Sequence, residues 1–299
     1  MSGQPRHPGL IRGYLAAAGV VLIWTGFILV SRFGGRSGLT AWDILALRLG
    51  TACLILLPLS RDLMSRRYWL DARLWALAML GVLLYGVLVY AGFRTAPAAH
   101  VGILLSGLQP FLIAAVVWLL GGDRPQRGRM AGLFGIAAGI ACVAVPEFSH
   151  WSAELLLGDA LILGASITWA LYSVLVKRWG CEPWALTRFV ALSSGLLFLP
   201  VYALLLPKAL EQVPASQLLL QALYQGLGPT IVAMLLFLQA VRILGAERLG
   251  ALIALVPVLA GLSAAPLLGE RLSPWLLAGL LFVSTGAWIA ARPSAVVRS

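Results

Sequence analysis

Charge is what this chain has least of. Asp, Glu, Lys and Arg make up 11% of its 299 residues, and 61% are hydrophobic, with mean hydropathy +0.93. Soluble domains carry about 25% charged residues, so this composition excludes a water-solvated globule and requires lipid as the solvent. Carboxylates are scarcer than cations, at 11 against 22. The basic residues sit in short gaps between apolar runs and never build a face or an arm. Nucleic acid is therefore excluded as a partner in spite of the net charge of +11.

Other absences narrow the function. Three cysteines, Cys53 and Cys142 in apolar runs and Cys181 in a loop, give neither a disulfide framework nor metal-ligand spacing. They read as small buried hydrophobes, and no metal or cofactor is expected. His7, His100 and His150 fall in the tail or at span ends. No His-x-x-Glu-His or Gly-x-Ser-x-Gly pattern occurs, and Ser106 has no base nearby in sequence, so no catalytic residue is assigned. No carboxylate sits at mid-span, Asp159 being the nearest. Intramembrane carboxylates are the usual proton relays, so their lack favours facilitated movement down a gradient, with His100 and Asp159 the remaining candidates for proton coupling.

What is present is a series of apolar segments. A span needs about 20 residues at 1.5 Å each to cross about 30 Å of hydrocarbon. Ten segments fit, centred on Leu22, Ile55, Leu83, Phe111, Gly139, Ile167, Leu196, Ala233, Leu259 and Leu281, the fifth being the shortest and richest in glycine. The stretch Tyr14 to Val30 is long enough to span and has no convincing cleavage site, so it reads as the first helix and not as a signal peptide. Counting outward from a cytoplasmic N-terminus, fifteen Lys or Arg fall on the inner side and five on the outer, with Arg48 and Arg188 at span entrances. The positive-inside rule then places both termini in the cytoplasm. Arginine far outnumbers lysine, Ala, Leu and Gly abound, and no transit peptide is present, which reads as a multi-pass protein of the bacterial inner membrane.

Sliding the chain by 147 residues matches its most structurally demanding residues. Gly81 meets Gly228, Tyr90 meets Phe237, Pro110 meets Pro257, Asp123 meets Glu270, Gly132 meets Gly279 and Gly139 meets Gly286. At slightly different offsets Trp24 answers Trp169 and Arg48 answers Arg188. The chain thus divides into repeats at 1–146 and 147–299. Five spans each would insert the second upside down, which is a transporter architecture.

At these residues the sequence resembles the drug/metabolite transporter superfamily in its ten-helix EamA-type members. The motifs are Gly158-Asp159, Trp169-Ala170-Leu171-Tyr172-Ser173-Val174-Leu175, Pro257 running to Gly269-Glu270-Arg271-Leu272-Ser273, and the first-half echo Pro110 to Gly122-Asp123-Arg124. The resemblance implies an all-α membrane fold of two inverted five-helix repeats around a central cavity, opened by alternating access. The aromatic content is similar to that of the bacterial aromatic amino-acid exporters, which implies amino acids as cargo. The alternatives are efflux of drugs or other metabolites, a channel, and last a membrane-embedded enzyme.

Candidate site residues follow from what lipid makes costly. Pro110 and Pro257 should kink helices four and nine, either as hinges or cavity walls or as packing kinks. Ser106, Gln109, Thr230 and Gln239, with Gln225 at the start of span eight, must each face a neighbour, water or ligand. Deep aromatics Trp24, Tyr85, Tyr90, Trp169 and Tyr172 are candidate walls of an apolar substrate pocket. The substrate-binding set is accordingly Trp24, Tyr85, Tyr90, Ser106, Gln109, Trp169, Tyr172 and Gln239. Asp123 and Glu270 read as turn residues that form local ion pairs or caps, or serve as gates. Arg48 and Arg188 are expected to snorkel or cap, which leaves few cations at cavity depth and argues against phosphorylated cargo. The small-residue face from Gly135 to Gly139, with Gly286 and Ala290, pairs spans five and ten within one chain or joins two chains, leaving monomer and homodimer both open.

Overall fold

The computed structural model describes residues 8–35, 38–92, 95–96, 101–121, 127–144, 152–268 and 274–290. All regular structure among the described residues is helical. Lipid imposes this, because a helix satisfies its own backbone and no water is available to do so. The helices are α1 (Pro8–Gly35), α2 (Ala41–Leu56), α3 (Ala72–Gly92), α4 (Ile103–Leu119), α5 (Arg127–Ala144), α6 (Ala153–Trp179), α7 (Pro183–Leu205), α8 (Ala215–Leu244), α9 (Ala246–Ile253 continuing as Val256–Leu268) and α10 (Pro274–Ala290). Each sequence-predicted segment centre falls in one of them. Six of the described helices, α1, α3, α6, α7, α8 and α9, are long and apolar enough to cross a membrane, and the apolar parts of the others are shorter.

Leucine-rich faces point outward, with Leu15, Leu22, Leu54, Leu119, Phe134, Leu204 and Leu281 all exposed. Such a girdle would aggregate in water and is at home only against acyl chains. Inward faces carry small residues. Gly132, Gly135 and Gly139 of α5 lie directly against Gly279, Val283, Gly286 and Ala290 of α10, so the small-residue stripe pairs these helices within one chain.

Departures from ideal helix recur in part across the two halves. Turns of π-helix interrupt α3 at Met79–Leu83, α4 at Ile103–Gly107 and α8 at Gly228–Val232, α3 and α8 being repeat mates. α4 is broken at Leu108 and α9 at Ala254–Leu255, each just before its proline. Proline cannot donate to the carbonyl four residues back, so the helix restarts with the proline in its first turn. Pro257 packs on Gly102 of α4, and Pro110 packs beside Gly250 of α9. The two broken helices cross by placing each proline on the other's glycine.

Polar contacts fasten the ends. Asp43 is fully buried in the first turn of α2, a buried carboxylate that the sequence reading did not anticipate. It completes a capping box with Thr40 and accepts from the Tyr202 hydroxyl (2.5 Å) and the Ala209 amide (3.0 Å), which ties α2 to the end of α7. Such saturation is what allows a carboxylate to remain buried.

The opposite end has a counterpart in Arg188 of α7, which donates to both Asp62 carboxylate oxygens at 2.5 and 2.7 Å and to the Leu59 carbonyl, over the Trp184 ring. Arg188 thus fills the structural role expected of it. Hydrogen bonding from Arg188 is the main reason the Asp62 carboxyl lies below its usual range. A carboxyl depressed in the folded state stabilises above its unfolded pKa of about 3.9 and loses that contribution as pH falls through the folded value. We expect thermal midpoints in detergent to drop on acidification below about pH 4, and Asp62→Asn to blunt that drop. An equal drop in both proteins would remove Asp62 from the cause.

Candidate functional site

A central cavity lies where α1, α2, α3, α4, α6, α8 and α9 converge. Trp24, Phe27, Ile28, Arg48, Tyr85, Val101, Leu105, Ser106, Gln109, Trp169, Pro229 and Val256 line it, around about 630 Å³ of empty space counted out to its mouth. The enclosed volume is only about 30 Å³, room for a water or two, so in this state the walls nearly close on one another and a cargo molecule would have to part them. Both repeats supply walls.

Aromatic rings form its base. Trp24 and Trp169, mates across the repeat, meet edge to face with centroids 5.3 Å apart. Trp169 also contacts Tyr85 (5.0 Å), Phe237 (5.0 Å) and Tyr172 (5.2 Å). Edge-to-face and offset contacts at these separations are favourable beyond their buried area. On α1 the lining residues run from Trp24 toward the C-terminus, whereas Ala16, Ala17, Val20 and Val21 toward the N-terminus are packed core, together with Tyr172, Met234 and Phe237. The cavity is therefore closed on the side of the α1 N-terminus.

Arg48 is the main departure from expectation. It neither snorkels nor caps. Its side chain is buried in the cavity wall, 6% exposed, and its Nε donates to the Thr230 hydroxyl at 2.7 Å. Pro229 explains that partner. Having no N–H, it leaves the Gln225 carbonyl unserved, and Thr230 Oγ1 donates there at 2.7 Å. The hydroxyl's lone pairs are left pointing at Arg48. The Phe27 ring lies 6.0 Å from the guanidinium carbon, the Tyr90 hydroxyl lies within hydrogen-bonding reach of the guanidinium, and the Tyr85 hydroxyl lies within its electrostatic reach. Among the described residues the ion pairs are Arg129–Glu247 and Arg188–Asp62, and none involves Arg48.

Two further polar groups in the wall stand without partners. Gln109 Nε2 donates to the Ser166 carbonyl at 3.2 Å, which fixes the amide's orientation and leaves Oε1 unpaired. Trp169 Nε1 is likewise buried and unpaired. An unsatisfied buried donor or acceptor costs about 1–3 kcal/mol, so native structures keep few of them without a reason.

The sequence-predicted set divides accordingly. Trp24, Tyr85, Ser106, Gln109 and Trp169 come together in the cavity wall. Tyr90 and Tyr172 are buried behind it, Tyr90 facing Arg48 and Tyr172 donating to Met234 Sδ at 3.4 Å. Gln239 is a correction. It is exposed on the outer face of α8, while Phe237, Leu238, Ala240 and Val241 point inward. Gln239 lies five residues before the end of α8, close enough for its amide to reach the polar edge of the bilayer from the outer face. Asp123 and Glu270 lie outside the described residues, as does His100. Away from the cavity, Trp69 and Trp75 cluster with Phe189 at 5.3–5.7 Å. Arg48 was legible only in part. The sequence placed it at the entrance of span two, whereas α2 starts at Ala41 and so carries it seven residues, or about 10 Å, into the helix.

With this geometry established, known proteins supply a frame. The sequence model of the EamA-like transporter family matches residues 11–145 and again 156–292. A solved structure titled only "Crystal structure of protein" superposes with a TM-score of 0.74 over 93% of this chain and 96% of that one, at 20% identity, and so shares the fold. No curated protein matches the chain.

Proposed function

The chain belongs to the EamA-like transporter family, multi-pass membrane transporters with two copies of the family repeat, and from that premise we propose that it exports small amphipathic metabolites, amino acids with aromatic or hydrophobic side chains foremost. The observation that carries this reading is the central cavity, walled by both repeats and based on the paired indoles Trp24 and Trp169. Once parted, walls of this composition suit a flat apolar group bearing a few polar atoms.

The proposed topology has ten spans, repeats at 1–146 and 147–299 in opposite orientation, and both ends in the cytoplasm of a bacterium, the inner membrane being the site. Arg178 donating to the Leu120 carbonyl (3.1 Å), Lys177 to the Arg242 carbonyl (2.6 Å) and Arg129 paired with Glu247 (2.5 Å) all lie on the arginine-rich side. They are the contacts expected of a closed cytoplasmic gate, and they agree with the packed layer beneath the cavity. Pro110 and Pro257 would be the hinges, each helix already being broken there.

The gate gives a measurable consequence. The Arg129–Glu247 pair is partly exposed, at 18% and 30%, so it is worth at most about 1 kcal/mol, or about fivefold in population. In a background lacking Cys53, Cys142 and Cys181, Met234→Cys lies beneath the aromatic base and should react slowly with maleimide. Adding Glu247→Gln should raise that rate up to about fivefold, and an unchanged rate would remove this pair from the gate.

Transport itself is tested by flux into proteoliposomes across a panel of amino acids, sugars and cationic drugs. Saturable flux of aromatic or hydrophobic amino acids, with stimulation by cargo on the far side, is the expected result. Unsaturated conductance would indicate a pore. Uphill flux driven by a pH gradient alone would replace the facilitated mechanism favoured here with proton coupling.

A further inference from the structure

We propose that Arg48 is the specificity-determining residue of the central cavity and that it selects cargo bearing a single carboxylate. This rests on the transport reading of the same cavity. A guanidinium held within a bilayer without a counter-ion is costly, because its attraction to a fixed partner is what ordinarily compensates the lost hydration. Arg188 shows the compensated state, paired in bidentate fashion with Asp62. Its repeat mate Arg48 is as deeply buried, 6% against 5% exposed, yet no carboxylate among the described residues pairs with it.

What the fold does supply is orientation. Thr230, itself tied to the Gln225 carbonyl, holds Nε, and Phe27 covers the guanidinium at 6.0 Å. The rest of the fork meets the Tyr90 hydroxyl but no carboxylate among the described residues, so it can still take a planar anion, the geometry in which arginine recognises carboxylates. The missing counter-charge then arrives with the cargo.

Unpaired groups elsewhere in the wall extend the assignment to a zwitterion. Gln109 Oε1 can only accept, which suits an ammonium. The Trp169 Nε1–H can only donate, which suits a carboxylate or carbonyl oxygen. The indoles of Trp24 and Trp169 and the Tyr85 ring are left for an apolar side chain. One guanidinium balances one negative charge, so a phosphate dianion would leave an excess in an apolar cavity.

Binding to the purified full-length protein in detergent tests this through tryptophan fluorescence. The probes are L-phenylalanine, phenylacetate, phenethylamine and phenyl phosphate. Phenylalanine and phenylacetate should bind at least about tenfold more tightly than phenethylamine, since hydrogen bonds to a charged partner are worth about one to two decades in affinity. Arg48→Gln should abolish that preference and Arg48→Lys should keep part of it. The comparison within the parent protein stands even where Arg48→Gln fails to fold.

Equal binding of phenethylamine and phenylacetate, tighter binding of phenyl phosphate, absence of binding by both carboxylate probes, or a preference that survives in Arg48→Gln would each overturn the assignment. Saturable flux of neutral or cationic cargo alongside any of these results would leave the transport reading intact. Absence of flux for every cargo in the panel would instead sink the transport reading.

Discussion

Gly286→Leu is expected to abolish the folded protein or to lower its thermal midpoint in detergent steeply. A Cβ at Gly286 would lie 2.6 Å from the Ile136 amide nitrogen and 2.7 Å from the Gly132 carbonyl oxygen. Both are backbone atoms of α5, so no rotamer change relieves the clash and the helices must part. Parting is costly in lipid, because association there rests on close van der Waals packing and has no hydrophobic drive behind it. Overpacking in cores typically costs about 1–3 kcal/mol, and a backbone obstacle puts this site at or above the upper end. Gly50→Leu is the control, since nothing lies within 4 Å of a Cβ there. Equal midpoints for the two variants would mean that α5 and α10 are not held by this contact.

Trp169 gives the second large effect, and two substitutions separate its roles. Trp169→Ala removes a ring that contacts Trp24, Tyr85, Tyr172 and Phe237. Truncating a buried aromatic costs about 3–5 kcal/mol, and the base of the cavity would collapse or flood, so both stability and flux should fall steeply. Trp169→Phe keeps most of the ring surface but deletes the Nε1–H, which is buried without a partner. Removing an unsatisfied donor should leave the cargo-free protein as stable as the parent, or slightly more so. If that donor serves the cargo, the KM for flux should rise about two- to tenfold, the worth of one hydrogen bond of about 0.5–1.5 kcal/mol. An unchanged KM in Trp169→Phe would make Trp169 part of the wall only.

The two prolines show how far periodicity and residue type carry. Pro110 and Pro257 were identifiable as helix breakers because proline's missing donor is a local property. The breaks at Leu108 and at Ala254–Leu255 fall where that property puts them. Trp24 and Trp169 were identifiable as a pair from the duplication, and their contact at 5.3 Å follows from depth and symmetry together. Gln239 shows where the same approach fails. Polarity within an apolar run signals the interior only at depth, and Gln239 lies five residues from the end of α8, where an amide can reach the polar edge of the bilayer. Asp43 escaped notice because its partners, Tyr202 and Ala209, are more than 150 positions away in the chain.

Composition, spacing and duplication were enough to place this protein in lipid, to make it helical and to show that its halves repeat. Composition and spacing are one-dimensional quantities, and the bilayer leaves the backbone few alternatives. The tertiary structure alone decided that, of two arginines matched by the repeat, Arg188 is neutralised by Asp62 while Arg48 faces the cavity beside Thr230. The physical reason is rotation. A residue's depth follows from its count along a helix, but its facing depends on how that helix is turned against neighbours from the other half of the chain, and only packing sets that angle.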